Sequence, residues 1–305
     1  MRNLFFILTA LSLTLYSCDD GDIIDVELDF EDTFNSCQET DLVIYKTKGD
    51  PSESLSILID NYSIESVFAV DETNTFTVTK SGTFIYRTYN DESINGSDLF
   101  CNLGPSSQVS IKQDYSSSCD VLFETVLTED DNDGIPAALE NQDPNGDDDF
   151  SDAQDTDEDG IPDYLDVDDD GDNVLTKDEN PDPNGDGDLS DAQDTDEDGT
   201  PDYLDKDDDD DGIDTRDEET DSQDQNPGND ITNSDVGADY LNKAVADDTA
   251  PKATAYRTHT IQQTYQVQAT ILEFSFDILS QDELDFGFLT GSSLTDTRTG
   301  TPVFK

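Results

Sequence analysis

Two stretches one period apart decide how this chain can fold: residues 155–179, DTDEDGIPDYLDVDDDGDNVLTKDE, and residues 194–218, DTDEDGTPDYLDKDDDDDGIDTRDE. They sit in consecutive 39-residue units, 141–179 and 180–218, which are identical at 29 of 39 positions, so this is a repeat rather than a random acidic tail. Between residues 129 and 221 there are 42 Asp and Glu against Lys177, Lys206 and Arg216, a net of −39. Such a stretch cannot bury an oily core of its own. Its natural interior is a cation.

Within each unit Asp recurs at alternate positions ahead of a Gly: Asp155, Asp157, Asp159 and Gly160, followed by Asp163 and Asp166. The second unit repeats this as Asp194, Asp196, Asp198, Gly199, Asp202 and Asp205. Alternate side chains in a tight loop converge on one point, and the Gly permits the turn that brings a carbonyl and a later carboxylate to it. A second loop type follows, with Asp207, Asp209, Asp211, Gly212, the Ile213 carbonyl, Thr215 and Glu218 at EF-hand loop positions 1, 3, 5, 6, 7, 9 and 12. Its earlier copy has Asp168, Asp170, Asp172, Asn173, Val174, Thr176 and Glu179, with Asn173 where Gly is expected; Asn tolerates a left-handed backbone. A partial third copy supplies Asp131, Asp133 and Glu140. Hard oxygen ligands in this number suit Ca²⁺, several ions in all, better than Mg²⁺. Asp143, Asn145 and Asp147, with Asp182, Asn184 and Asp186, are less specific candidates.

The segments DTDEDGIPDYLDVDDDGD and DTDEDGTPDYLDKDDDDDGI resemble thrombospondin type 3 repeats, which occur in many bacterial surface proteins. The resemblance covers roughly 129–221. It implies a chain with little regular structure wrapped around a row of calcium ions. Without metal the like charges repel, so ion binding and folding should be one event.

At the N-terminus a single Arg2 precedes the apolar run 4–15 and Leu15-Tyr16-Ser17-Cys18, which reads as a secretory signal too short to span a membrane comfortably and resembles a bacterial lipobox with Cys18 as the lipid attachment. The implied partner is a membrane, reached through a lipid anchor at the outer membrane of the cell envelope and exposed at the surface. The net charge of −62 argues against nucleic acid. Of the mature cysteines Cys37, Cys101 and Cys119, two are expected to pair in an oxidising compartment, and the sequence does not choose which.

The flanks are β-rich. Short apolar or alternating runs between Asp41 and Leu127 suggest seven strands of a sandwich, with Lys80-Ser81-Gly82-Thr83 as a hairpin turn. After a polar stretch, Tyr265-x-Val267-x-Ala269-x-Ile271 changes parity into Leu272-x-Phe274-x-Phe276-x-Ile278, which predicts a bulge or a change of sheet there. The expected organisation is therefore mainly β: signal peptide 1–17, tether 18–37, first part of a β-sandwich 38–127, irregular Asp-rich calcium repeats 128–221, polar linker 222–254, and a segment 255–305 completing the sandwich.

The chain has one histidine, His259, no Trp, no nucleophile elbow and no phosphate loop, and no catalytic or cofactor-binding residue is assigned. The reading is a non-enzymatic, lipid-anchored calcium-binding surface protein whose stiffened repeats space or support a β-domain for adhesion or scaffolding, with an extracellular protein or glycan as ligand. The alternative is a glycan-binding accessory of a surface enzyme system, or a hydrolase with an unrecognised site; Tyr86, Tyr89 and Tyr115 are the aromatics such a sugar site would use.

Overall fold

The computed structural model describes residues 28–38, 40–71, 73–102, 109–219, 224–246, 251–291 and 294–305. The signal run and Cys18 lie outside the described residues. Among the described residues eight strands form: β1 (Thr33–Gln38), β2 (Leu42–Gly49), β3 (Ser52–Ile59), β4 (Thr75–Tyr89), β5 (Ile111–Asp130), β6 (His259–Ser275), β7 (Ser280–Leu289) and β8 (Thr295–Gly300). One short helix, α1 (Gly96–Phe100), is capped by the Asn95 side chain. The fold is mainly β with an irregular Asp-rich region, and its sheet closes. The strand order β5-β4-β3-β2-β1-β7-β6 returns to β5, and β8 adds to the first half of β6. The two layers of the expected sandwich are opposite walls of one barrel.

Closure rests on long strands. β4 takes up both aromatic runs around residues 76 and 84, so Lys80-Ser81-Gly82-Thr83 runs straight through as strand. Gly82 is there for close approach rather than for a turn: a Cβ on it would stand 2.9 Å from the Leu58 carbonyl oxygen of the neighbouring strand. The run around Val67 forms a 3-10 turn, Ile64–Phe68, that covers the core. β1 begins inside the stretch expected to be tether, because Phe34 is fully buried against Phe286. Inside, Phe84 meets Phe274 edge to face at 4.9 Å and Phe276 at 5.1 Å. The parity change on β6 is taken up at Glu273, whose φ of 51° lets Ile271 and Phe274 both face inward. Cys37 and Cys101 form a disulfide, tying β1 to the end of α1, and Cys119 is a buried free thiol.

β5 and β6 pair from Asp120↔Leu272 to Asp130↔Gln262. The Asp-rich region is therefore an excursion between two neighbouring, hydrogen-bonded strands. Among its described residues the regular structure is confined to three-residue 3-10 turns, such as Asp163–Leu165, Thr176–Asp178, Asp202–Leu204 and Thr215–Asp217. Its scarce apolar residues dock on the barrel: Ala137, Tyr164 and Leu165 pack with Ile261 of β6, flanked by Phe150, Ala153 and Ile161. The returning chain straps the repeats. Lys252 and the Ala253 amide bind Asp217, the Ala255 carbonyl accepts from Asn173 Nδ2, and His259 Nε2 lies 3.0 Å from the Leu165 carbonyl.

Candidate metal centres

Each loop is shaped first by its own carboxylates acting as backbone acceptors. Position 3 receives the position-5 amide: Asp131 from Asp133, Asp157 from Asp159, Asp170 from Asp172, Asp196 from Asp198 and Asp209 from Asp211, all at 2.7–3.2 Å. Position 1 receives the amides at the turn, as Asp168 does from Asp172 and Asn173, and Asp207 from Asp211 and Gly212. Asn173 carries φ 75°, the left-handed conformation its place requires. Gly171 is required for another reason: a Cβ there would meet the Asp157 carboxylate at 2.3 Å, so adjacent loops interlock.

With one set of oxygens so employed, the other set converges. Asp131, Asp133 and Glu140 are joined by Asp169, and Asp170, Asp172 and Glu179 by Asp208, each group having ligand atoms within 4.8 Å of one another and every member buried. Three further groups are Asp155/Asp157/Asp159, Asp194/Asp196/Asp198 and Asp207/Asp209/Asp211. In the two four-membered groups both oxygens of Glu140, Asp169, Glu179 and one or two of every other member lack a hydrogen-bond partner while shielded from solvent. Glu218 lies beside the Asp207/Asp209/Asp211 group, hereafter the third site, in the same condition, with one such orphaned oxygen.

Burial and mutual repulsion hold these carboxyls far above their ordinary range. Glu140 is pushed up to about 10, first by burial and then by Asp133 and Asp131. Asp131 rises to about 9 and Asp208 to about 11 for the same two reasons. Glu218 rises to about 9 through burial, Asp209 and Asp211. Asp168, Asp169, Asp170, Asp172 and Glu179 are also raised, burial first. A pair of buried like charges with free lone pairs is costly unless a cation or protons neutralise it. The donor set is all oxygen, which fits a hard divalent ion such as Ca²⁺.

Other residues expected as ligands sit elsewhere. Asp163 and Asp202 clasp their own loops, each accepting from the amide and hydroxyl of a threonine, Thr156 or Thr195, at 2.6–2.8 Å. Thr176 and Thr215 play the same part, receiving the amides of Asp169 and Asp208. Asp166 and Asp205 accept from the amides of Asp168 and Asp207, at the joint between loop types. Asp166 also faces His259 Nδ1 at 3.6 Å, and burial lowers the histidine's pKa. The loops at Asp143 and Asp182 are exposed, and each of these carboxylates is occupied by three backbone amides.

Sequence reading missed Asp169 and Asp208. They occupy position 2, which points away from the loop that contains it and toward the preceding one. The available signal was their matched place in the 39-residue period. At the barrel end, position 1 of the first loop is Glu129, and it carries no metal pattern: Arg298 of β8 grips both its oxygens, at 2.7 and 3.0 Å, and Gln263 adds a third bond.

A family profile described as BamM C-terminal matches residues 130–190, the first loops and the first full repeat unit. No curated protein and no solved structure matches the chain.

Proposed function

We propose that this chain is a calcium-binding protein of the bacterial cell envelope, associated with the outer membrane, in which ions take the place of an apolar interior for the repeats carried by the β-barrel. Two groups of four buried carboxylates with orphaned oxygens carry the reading. The family match supports the outer-membrane association. Each four-membered site takes three ligands from one loop and the fourth from the next, so an ion here would dock successive loops to each other. In this reading the protein is a lipoprotein anchored through Cys18, has no catalytic role, and uses the stiffened repeats for scaffolding or adhesion. The single histidine is consistent with that, since its ring is committed to the Leu165 carbonyl.

Small-angle scattering and calcium calorimetry on the mature protein test it. Millimolar Ca²⁺ should contract the molecule relative to EDTA, and Asp170→Asn should remove one bound ion. Identical dimensions in both conditions, with no heat of binding, would refute the proposal.

A further inference from the structure

The stretch 227–242, expected to be part of a polar linker, has the local architecture of the repeats. The Asp239 amide donates to the Asp230 carbonyl at 3.0 Å, as Asp163 does to Gln154 and Asp202 to Gln193. Thr232 donates its amide and hydroxyl to the two Asp239 oxygens, both at 2.7 Å, reproducing the Thr156–Asp163 and Thr195–Asp202 clasps. A 3-10 turn with a buried tyrosine follows in all three, here Asp239–Leu241 with Tyr240. Asn233 even receives the Asp235 amide as the position-3 aspartates do. What differs is the ligand set: Ile231, Asn233 and Asn242 stand where the repeats have Asp155, Asp157 and Asp166. This copy keeps the clasp and, of the loop carboxylates, retains only Asp235, at the place of Asp159.

Terminal units of a repeat array differ from internal ones because they face no further neighbour. The turn Thr215–Asp217 of the third site packs on the turn Pro227–Asn229, which packs on Asp239–Leu241. We propose that 227–242 is the terminal cap of the array and that Asp239 is a positioning residue for the third site, Asp207, Asp209 and Asp211 with Glu218 beside them; this rests on the divalent-metal reading above. Asp209 and Glu218 are each 2 % exposed and hold oxygens with no hydrogen-bond partner, so the site that the cap closes over is built for a ligand.

The test is calcium calorimetry with equilibrium dialysis on the full mature chain, comparing Asp239→Asn with Asp235→Asn. Both remove one negative charge from the same loop, but Asp235 is exposed. Asp239→Asn should weaken one site by about tenfold or more, the range seen when groups supporting a ligand are lost, and leave the rest unchanged; Asp235→Asn should stay within about threefold, as an exposed, solvent-screened charge does. Thr232→Val, which keeps the carboxylate and removes only the hydroxyl bond, guards against misfolding and should weaken the same site. Equal isotherms for all four proteins would overturn the cap proposal while leaving calcium binding standing, whereas an absence of calcium binding in the parent would remove the metal reading beneath it.

Discussion

Position 2 of the loops separates what the residues advertise from what they do. Alternate aspartates at positions 1, 3 and 5 announce themselves through spacing, but Asp169 and Asp208 act across a repeat boundary, and no local pattern encodes that. Asp208→Asn should therefore lose one ion whose other ligands, Asp170, Asp172 and Glu179, lie 29 to 38 residues earlier. Dialysis showing the full ion count would refute the assignment. The titration behaviour follows from the same burial. Glu140, Asp131 and Glu218 have folded pKa values raised to about 10, 9 and 9, so without metal the compact state is favoured while they are protonated. That contribution is intact below the ordinary carboxyl range and is lost as pH climbs from about 4 through about 10. In EDTA the radius of gyration should thus grow over that interval, and at pH 7 calcium should displace protons, seen as a binding heat that depends on buffer ionisation enthalpy. A buffer-independent heat would contradict the shifts.

At the level of strands and loops, the existence of β-structure was legible in the alternating runs, while its closure was not. Barrel closure depends on β5 meeting β6 across more than a hundred intervening residues, and on Gly82 serving as a site of close approach inside a strand where its chemistry equally suits a turn. The linker hid a repeat for a related reason: its clasp survives in Thr232 and Asp239, but the acidic spacing that flags the other copies is gone. Two substitutions probe the elements. Phe84→Ala, at the centre of the aromatic core, should destabilise the barrel by about 3–5 kcal/mol, measured by chemical denaturation in saturating calcium. Arg298→Gln, which releases Glu129 at the first loop, should cost about 1 kcal/mol, a modest figure because the guanidinium is partly exposed. A loss as large as that of Phe84→Ala would show the pair to be more than a local dock.

For the molecule as a whole, barrel and repeats answer to different forces, one to apolar burial and the other to charge neutralisation. Hydrogen exchange in chelator should leave the amides of 262–272 protected and expose those of 155–218; uniform loss would mean that the barrel cannot stand without the ions. The route of the chain then has a mechanical corollary. Because the excursion leaves at Asp130 and returns at Gln262, its paired opposite, a pull applied to the residues before β1 enters the barrel wall, whereas one applied after β8 reaches the repeats directly, since the Lys305 carbonyl accepts from Arg216 and Phe304 packs on Tyr256 and against the Arg216 guanidinium. Tugging from the N-terminal side would stress the short parallel seam of β1 and β7, where Thr33 and Phe34 pair with Phe288 and Leu289, before the carboxylate cages felt any strain.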